Sequence, residues 1–329
     1  MASPSVSLVI PVYNEKENIP LLIQRLKDVT NKLSHESFEF IFVDDGSSDQ
    51  SFRLLKDFSA QDNRAKALKL SRNFGSHSAC LAGLAHAHGE RMIILAADLQ
   101  DPPELIGELL GAQKKDIDVV WAKRREREDS KRVLFFASLY HRLMRRLIFK
   151  EWPGEGADVV LLTRRVRDAL LAWPEKNTSL FGQIFWLGFP YASISYVKGK
   201  RHAGKSKWNI PKQIKLGLDS IISFSFLPIR LISYLGVLIS LAGFLYSLLI
   251  IFLRVTNVTQ VPGWSTLMIV ILLVSGLQLL MLGIIGEYLW RSADQVKTRP
   301  SYVVTEQFGF QEIKPVPVSP ETRVKLHSL

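Results

Sequence analysis

Hydrophobic patterning divides the chain into two regimes that meet near residue 226. Before that point, short runs rich in Val, Ile, Leu and Phe alternate with longer stretches whose apolar residues recur at helical spacing. The runs at 5–10, 38–43, 65–70, 91–96 and 118–122 have strand length, and 15–33, 49–61, 76–88 and 104–114 have helical length. This alternation predicts an α/β fold built on a mostly parallel, Rossmann-like sheet with helices on both faces. Such sheets bind ligands beyond the carboxyl ends of their strands. There the chain reads Pro11-Val-Tyr-Asn-Glu15, Asp44-Asp-Gly-Ser-Ser-Asp49, Ser71-Arg-Asn-Phe-Gly75 and Asp98-Leu-Gln-Asp-Pro-Pro-Glu104. Polar clusters therefore gather on the predicted ligand edge, and that edge is the candidate site.

Beyond residue 226 the pattern changes. Residues 231–253 hold no charge between Arg230 and Arg254, and 264–286 repeat the pattern up to Glu287. As helices, each reaches about 34 Å, against a hydrocarbon core of about 30 Å. A two-helix transmembrane hairpin is predicted, with spans at 228–253 and 264–290 joined by an extracytoplasmic loop at 254–263. Lys212, Lys215 and Arg230 precede the first span, and Arg291, Lys297 and Arg299 follow the second. The loop carries only Arg254 as a basic residue. By the positive-inside rule both termini then lie in the cytoplasm. The opening residues 1–7 lack the charged start and apolar run of a signal peptide, so the first domain is expected on the side where it is made.

The expected organisation is a cytosolic domain over 1–207, a juxtamembrane amphipathic segment over 208–227, the hairpin, and a cytosolic tail over 291–329 with a short strand at 302–305. Within the domain, 132–150 sets Leu134, Leu139, Leu143 and Leu147 among Arg142, Arg145 and Arg146. Such a helix either lies in the headgroup plane or packs on the sheet with its basic face solvated.

A formal net charge of +11 implies an anionic partner: nucleic acid, acidic lipid or a phosphorylated substrate. No nucleic-acid reader motif accompanies the charge, and the two apolar blocks argue against that class. The single cysteine, Cys80, rules out an intrachain disulfide framework and reads as a small buried apolar residue.

Several groups at the predicted edge carry chemistry. Asp98 ends an apolar run, with Gln100 two residues on; such oxygens suit Mg²⁺ or Mn²⁺ bridging to a diphosphate. The same stretch also reads as a helix start before Pro102-Pro103. Asp44 and Asp45 suit acceptance of hydrogen bonds from a base or ribose, or simply a turn in which Asp49 caps the next helix. Arg124, Arg125 and Arg127 suit a phosphate clamp or a solvated basic turn. Arg201-His-Ala-Gly-Lys-Ser-Lys207 places three cations directly before the apolar region, where a lipid phosphate would be presented.

In this order the motifs resemble the family 2 glycosyltransferases of GT-A fold, in particular the polyprenyl-phosphate glycosyltransferases such as the dolichyl-phosphate mannose synthases and bactoprenol glucosyltransferases. The resemblance covers about 5–304 and includes the ending Glu287-Tyr-Leu-Trp-Arg and Arg299-Pro-Ser-Tyr302. It implies that Pro11, Tyr13, Glu15, Asp44 and Asp45 hold the nucleotide sugar, with Asp98 and Gln100 holding the metal and diphosphate. It implies that Arg124, Arg127, Arg201, Ser206 and Lys207 bind the diphosphate and the acceptor phosphate. Asp158, within Gly156-Ala-Asp-Val159, matches the family's proposed base or acceptor-orienting aspartate. The implied partners are a UDP- or GDP-linked sugar, undecaprenyl or dolichyl phosphate and the bilayer, in a bacterial inner membrane; a homo-oligomer through the spans is compatible with the sequence.

Three departures stand out. Ala96-Ala97-Asp98 replaces the usual Asp-Ala-Asp, Ala157 and Val159 replace Gly and Phe, and Trp208 stands where Tyr is common. The absence of a carboxylate at position 96 supports a second reading, a catalytically weakened membrane scaffold or assembly subunit.

Overall fold

The computed structural model describes residues 4–125, 159–173, 179–199, 202, 227–256, 263–297 and 299–310. It divides into two compact units: 1–107 with 200–203 and 302–329, and 108–199 with 204–301.

In the first unit, β1 (Val6–Val12), β2 (Phe38–Asp44), β3 (Ala65–Leu70) and β4 (Arg91–Ile94) form a parallel sheet in the order β4-β1-β2-β3. Every residue of β2 is buried, which explains its unbroken apolar run. Helix α1 (Ile19–Lys32) buries Ile19, Leu22, Leu26 and Val29, and α2 (Ser51–Gln61) buries Phe52, Leu55 and Phe58. Both stripes follow the helical repeat, so each helix turns one face to the core and one to water. Phe58 packs against Phe40 and Phe42 with ring centroids 6.3 and 5.9 Å apart. Burying one such side chain stabilises the fold by about 1.5–3 kcal/mol.

Helix α3 (Ser76–Ala85) is built differently. Its buried residues are mostly small, namely Ala79, Cys80, Ala82 and Gly83, with Leu84. A Cβ on Gly83 would lie 2.4 Å from Cγ1 of Val9, so this helix sits closer to β1 than a larger residue would allow. Cys80 is 3% exposed, and burial pushes its thiol up to about 12. It is an inert packing residue, as its sequence context suggested.

Where the sequence predicted a mostly parallel sheet, the structure adds an antiparallel strand. Strand β8 (Val304–Phe308) pairs antiparallel with β3. It enters from the C-terminal tail and not through a strand-helix-strand crossover, so nothing forces it parallel. The short strand expected at 302–305 is this element, displaced toward the C-terminus.

The second unit has its own mixed strands. Strand β5 (Val119–Arg124) pairs antiparallel with β6 (Val159–Thr163) and parallel with β7 (Tyr191–Tyr196). Helix α4 (Leu105–Ala112) precedes β5, and α5 (Arg164–Leu171) and α6 (Leu180–Trp186) lie between β6 and β7. Two long helices follow, α7 (Leu227–Val255, 29 residues) and α8 (Trp264–Val296, 33 residues). A Cβ on Gly236 of α7 would meet Cε of Met281 on α8 at 2.8 Å, so the two helices pack side by side. Their exposed side chains include Tyr234, Val237, Leu238, Phe244, Leu267 and Leu279. Taken over the described residues alone, no helix counts as long and apolar enough to cross a membrane. Side chains at several positions of both helices fall outside that set, so the predicted spans are not established by the structure. The amphipathic segments 132–150 and 208–226 lie outside the described residues.

Candidate active site

Four parallel strands of the first unit end on one edge, and their exit loops are fastened to one another. The β1 exit contains Pro11 and Tyr13, both partly exposed, then Asn14, whose φ of +52° reverses the chain before Glu15. Asparagine is among the few residues that tolerate this left-handed conformation. The Asn14 N–H donates to Ser47 Oγ at 2.9 Å, and Asn14 Oδ1 accepts from Ser48 N at 2.8 Å. The Glu15 N–H donates to Ser51 Oγ at 2.8 Å, while the buried Glu15 carboxylate accepts from Asn18 Nδ2. Asp49 does not occupy the N-cap of α2, which is Gln50. It accepts from Ser51 N at 2.9 Å and from Lys16 N at 3.3 Å, joining the β1 and β2 loops.

The two adjacent aspartates of the β2 exit have separate duties. Asp45 is 3% exposed and accepts from the N–H groups of Phe74 at 2.7 Å and Gly75 at 2.9 Å. Its carboxylate thus fastens the β3 exit loop, a role that the sequence reading, which placed Asp45 on the nucleotide, did not foresee. Asp44 is fully buried. Its Oδ2 accepts from Ser47 N at 3.1 Å, and its Oδ1 has no hydrogen-bond partner among the described residues. Burial raises the pKa of Asp44, partly offset by the bonds from Ser47 and the charge of Lys69. Burial likewise raises Asp45, opposed by the two backbone N–H groups and reinforced by the Asp44 charge. A buried carboxylate oxygen left unbonded is costly, and it marks a place where a donor would be well received.

Gly46 makes the junction between loops tight. It has a φ of +68°, and a Cβ there would lie 2.5 Å from the Arg72 carbonyl carbon and 2.8 Å from Asn73 N. Both conflicts involve backbone, so Gly46→Ala should lower stability by about 1–3 kcal/mol through strain alone. A calorimetric scan would check this, with an unchanged Tm as the contrary result. Next to it, the Arg72 guanidinium stacks 4.0 Å from the Phe74 ring centre. Arg72 and Asn14 are not among the site residues that the sequence motifs imply. Both lie inside motifs already singled out, but nothing local told them from their neighbours.

At the β4 exit, Asp98 is partly exposed and its Oδ1 accepts from Gln100 N at 3.2 Å. Between them Leu99 holds a φ of +59° while 5% exposed. A bulky residue in the left-handed region is strained, and such strain clusters at functional sites. Asp101 is 1% exposed. Among the described residues no group of three or more His, Cys, Asp or Glu side chains is placed to hold a metal.

Arg124, at the end of β5, belongs to the second unit. Asp158, Arg127, Arg201, Ser206 and Lys207 lie outside the described residues. The chain enters β6 directly after Asp158, with Val159 opposite Ala122.

Residues 7–171, half of the chain, match the family model of Glycosyl transferase family 2. The chain belongs to that family. Its family 2 relatives span nearly its whole length. An uncharacterized glycosyltransferase, YkcC, of Bacillus subtilis (strain 168) is 40% identical over 309 residues, covering 93% of this chain and 94% of the relative. A prophage bactoprenol glucosyl transferase homolog of Escherichia coli (strain K12) is 32% identical over 300 residues, 91% of this chain and 98% of the relative. The undecaprenyl-phosphate 4-deoxy-4-formamido-L-arabinose transferase of Proteus mirabilis is 34% identical over 314 residues, 93% and 95% of the two chains. This family 2 glycosyltransferase is thus an enzyme with a GT-A-like mixed α/β sheet, and its fastened loops occupy the edge where that architecture binds ligands.

Proposed function

We propose that this family 2 glycosyltransferase moves one sugar from a UDP- or GDP-linked donor to a polyprenyl phosphate, with inversion at the anomeric carbon. The observation that carries the reading is Asp44. A fully buried carboxylate with one oxygen unbonded among the described residues, at the ligand edge of a parallel sheet, suits an N–H or O–H donor from a nucleoside. Tyr13, Glu15 and the fastened loops of β1 and β2 would frame that nucleoside.

Asp98 would hold a divalent ion together with Gln100. One carboxylate, diphosphate oxygens and waters make an ordinary Mg²⁺ donor set, so the lone Asp98 beside Ala96 fits the ion despite the missing second carboxylate. Bound there, the ion would supply charge neutralisation for the diphosphate. Arg124, Arg127, Arg201, Ser206 and Lys207 would add hydrogen bonds and positive charge to the two phosphate groups.

In the transfer, an acceptor phosphate oxygen forms a bond to the anomeric carbon as the bond from that carbon to the diphosphate oxygen breaks. The electron pair leaves with the nucleoside diphosphate. A phosphate monoester is already anionic near neutrality, its second pKa being about 6. Positioning and charge stabilisation then carry most of the acceleration.

The acceptor assignment draws on relatives whose names specify bactoprenol and undecaprenyl phosphate. It also draws on α7 and α8, which expose Tyr234, Val237, Phe244 and Leu267 to the surroundings. Apolar surface on that scale suits lipid better than water. The proposed arrangement is a two-span inner-membrane anchor, with the catalytic domain and both termini in the cytoplasm. Purified full-length protein in detergent should label undecaprenyl or dolichyl phosphate with radioactive sugar from at least one donor in a UDP- and GDP-sugar panel. Efficient transfer to a soluble sugar or peptide, with lipid phosphate ignored, would overturn the acceptor assignment.

A further inference from the structure

The segment after the long helices is more than a tail. Strand β8 covers the open edge of β3, and the two residues flanking Gly309 grip that edge through different elements. Phe308 meets Phe52 of α2 at 6.4 Å between ring centres and takes Lys56 Nζ over its face at 4.1 Å. Phe310 meets the ring of His86, just past α3, at 5.4 Å and takes Lys66 Nζ at 5.3 Å. Lys69 and Glu306 pair across the two strands at 2.9 Å. Gly309 permits the turn between the rings, with a φ of +76° and a Cβ position only 2.4 Å from the Ala65 carbonyl oxygen. No other residue fits there without displacing backbone.

This clasp reaches the ligand edge. The register slips between Lys69, opposite Glu306, and Leu70, opposite Val304. Such an irregularity re-aims the chain at a sheet edge. Directly beyond it, the Ser71 N–H donates to the Val303 carbonyl at 2.9 Å. Ser71 opens the loop whose other end, Phe74 and Gly75, is held by Asp45. The loop carrying Arg72 is therefore fixed from two sides, by a carboxylate of the β2 exit and by a carbonyl of the C-terminal segment.

We propose that Val303–Phe310 is a positioning element of the donor site, setting the Ser71–Gly75 loop through the aromatic clasp. This rests on the reading that the strand exits bind the nucleotide. The test uses full-length protein in detergent, with amide exchange at Ser71 and titration with UDP and with GDP. Phe308→Ala/Phe310→Ala and, separately, Gly309→Ala should each speed Ser71 exchange by about tenfold, while β2 amides stay protected. Affinity for whichever diphosphate the unaltered protein binds should fall by about fivefold, a coupling size ordinary for linked sites. Phe308→Leu/Phe310→Leu, which keeps apolar bulk, should recover most of that affinity. Faster exchange with unchanged affinity, or unchanged exchange, would overturn the positioning role and leave the site reading standing. Failure of the unaltered protein to bind either diphosphate would overturn both.

Discussion

Asp98→Asn should lower kcat for sugar transfer by about 10²–10³-fold, the size expected when one preorganised charge-stabilising group is lost. The substitution is chosen for what it leaves alone. An asparagine oxygen still accepts from Gln100 N, as Asp98 Oδ1 does at 3.2 Å, so the left-handed turn at Leu99 keeps its support. The negative charge disappears. Because Ala96 supplies no second carboxylate, no neighbour in the Ala96-Ala97-Asp98 stretch takes over the charge. Mg²⁺ titrations of activity should therefore shift to higher concentration in the variant, along with the lower kcat. An unchanged kcat with an unchanged Mg²⁺ requirement would remove Asp98 from the reaction.

The features that the sequence revealed and those it hid differ in range. Strands β1, β2 and β4 were legible because each is a short, largely buried apolar run bounded by polar loops, whereas β3 sets half-buried Lys66 and Lys69 among buried Ala and Leu. Even so, β1 continues two residues beyond its predicted end, through Pro11 and Val12. Proline normally ends a central strand, but β4 pairs only with Val6 to Val9, so a missing donor at Pro11 removes no ladder bond there. Strand β7 lies outside the strands predicted from the apolar runs, although Ser193 and Ser195 lie exposed while Tyr196 is buried, an alternation of period two. Strand β8 overlaps the short strand expected at 302–305, but its extent to Phe308 and its partner are not readable locally. Its sequence Val-Thr-Glu-Gln-Phe is largely exposed, and its partner is 237 residues away, between Lys69 and Glu306. A short strand can be expected from local sequence, but its antiparallel pairing with so distant an edge cannot.

The same distinction holds at the site. The motifs were found because polar residues at strand ends are local, but the division of labour between Asp44 and Asp45 was not. Identical neighbours in sequence diverge because one carboxylate meets the N–H groups of Phe74 and Gly75, about thirty residues on, while the other keeps an oxygen unbonded among the described residues. Burial raises both, so charge at this edge is held against a desolvation cost. An incoming nucleoside would relieve that cost at Asp44, whereas each Asp45 oxygen already accepts one backbone N–H.

Asp158→Asn is the second large effect, and it tests a different step. The chain passes from Asp158 straight into β6, whose first residue pairs with Ala122, two positions before Arg124. We expect kcat to fall by about 10²-fold or more while UDP- or GDP-sugar affinity stays within about twofold, since positioning of the acceptor and not of the donor is lost. The pH profile identifies the cause. If Asp158 orients the acceptor, the acidic limb of kcat stays near the second phosphate pKa of about 6 in both proteins, because the lipid phosphate sets it. If Asp158 removes a proton instead, that limb belongs to the carboxylate and flattens in the variant. Because the acceptor needs little deprotonation, the unchanged limb is the expected result. Turnover near that of the unaltered protein would strip Asp158 of any part in catalysis.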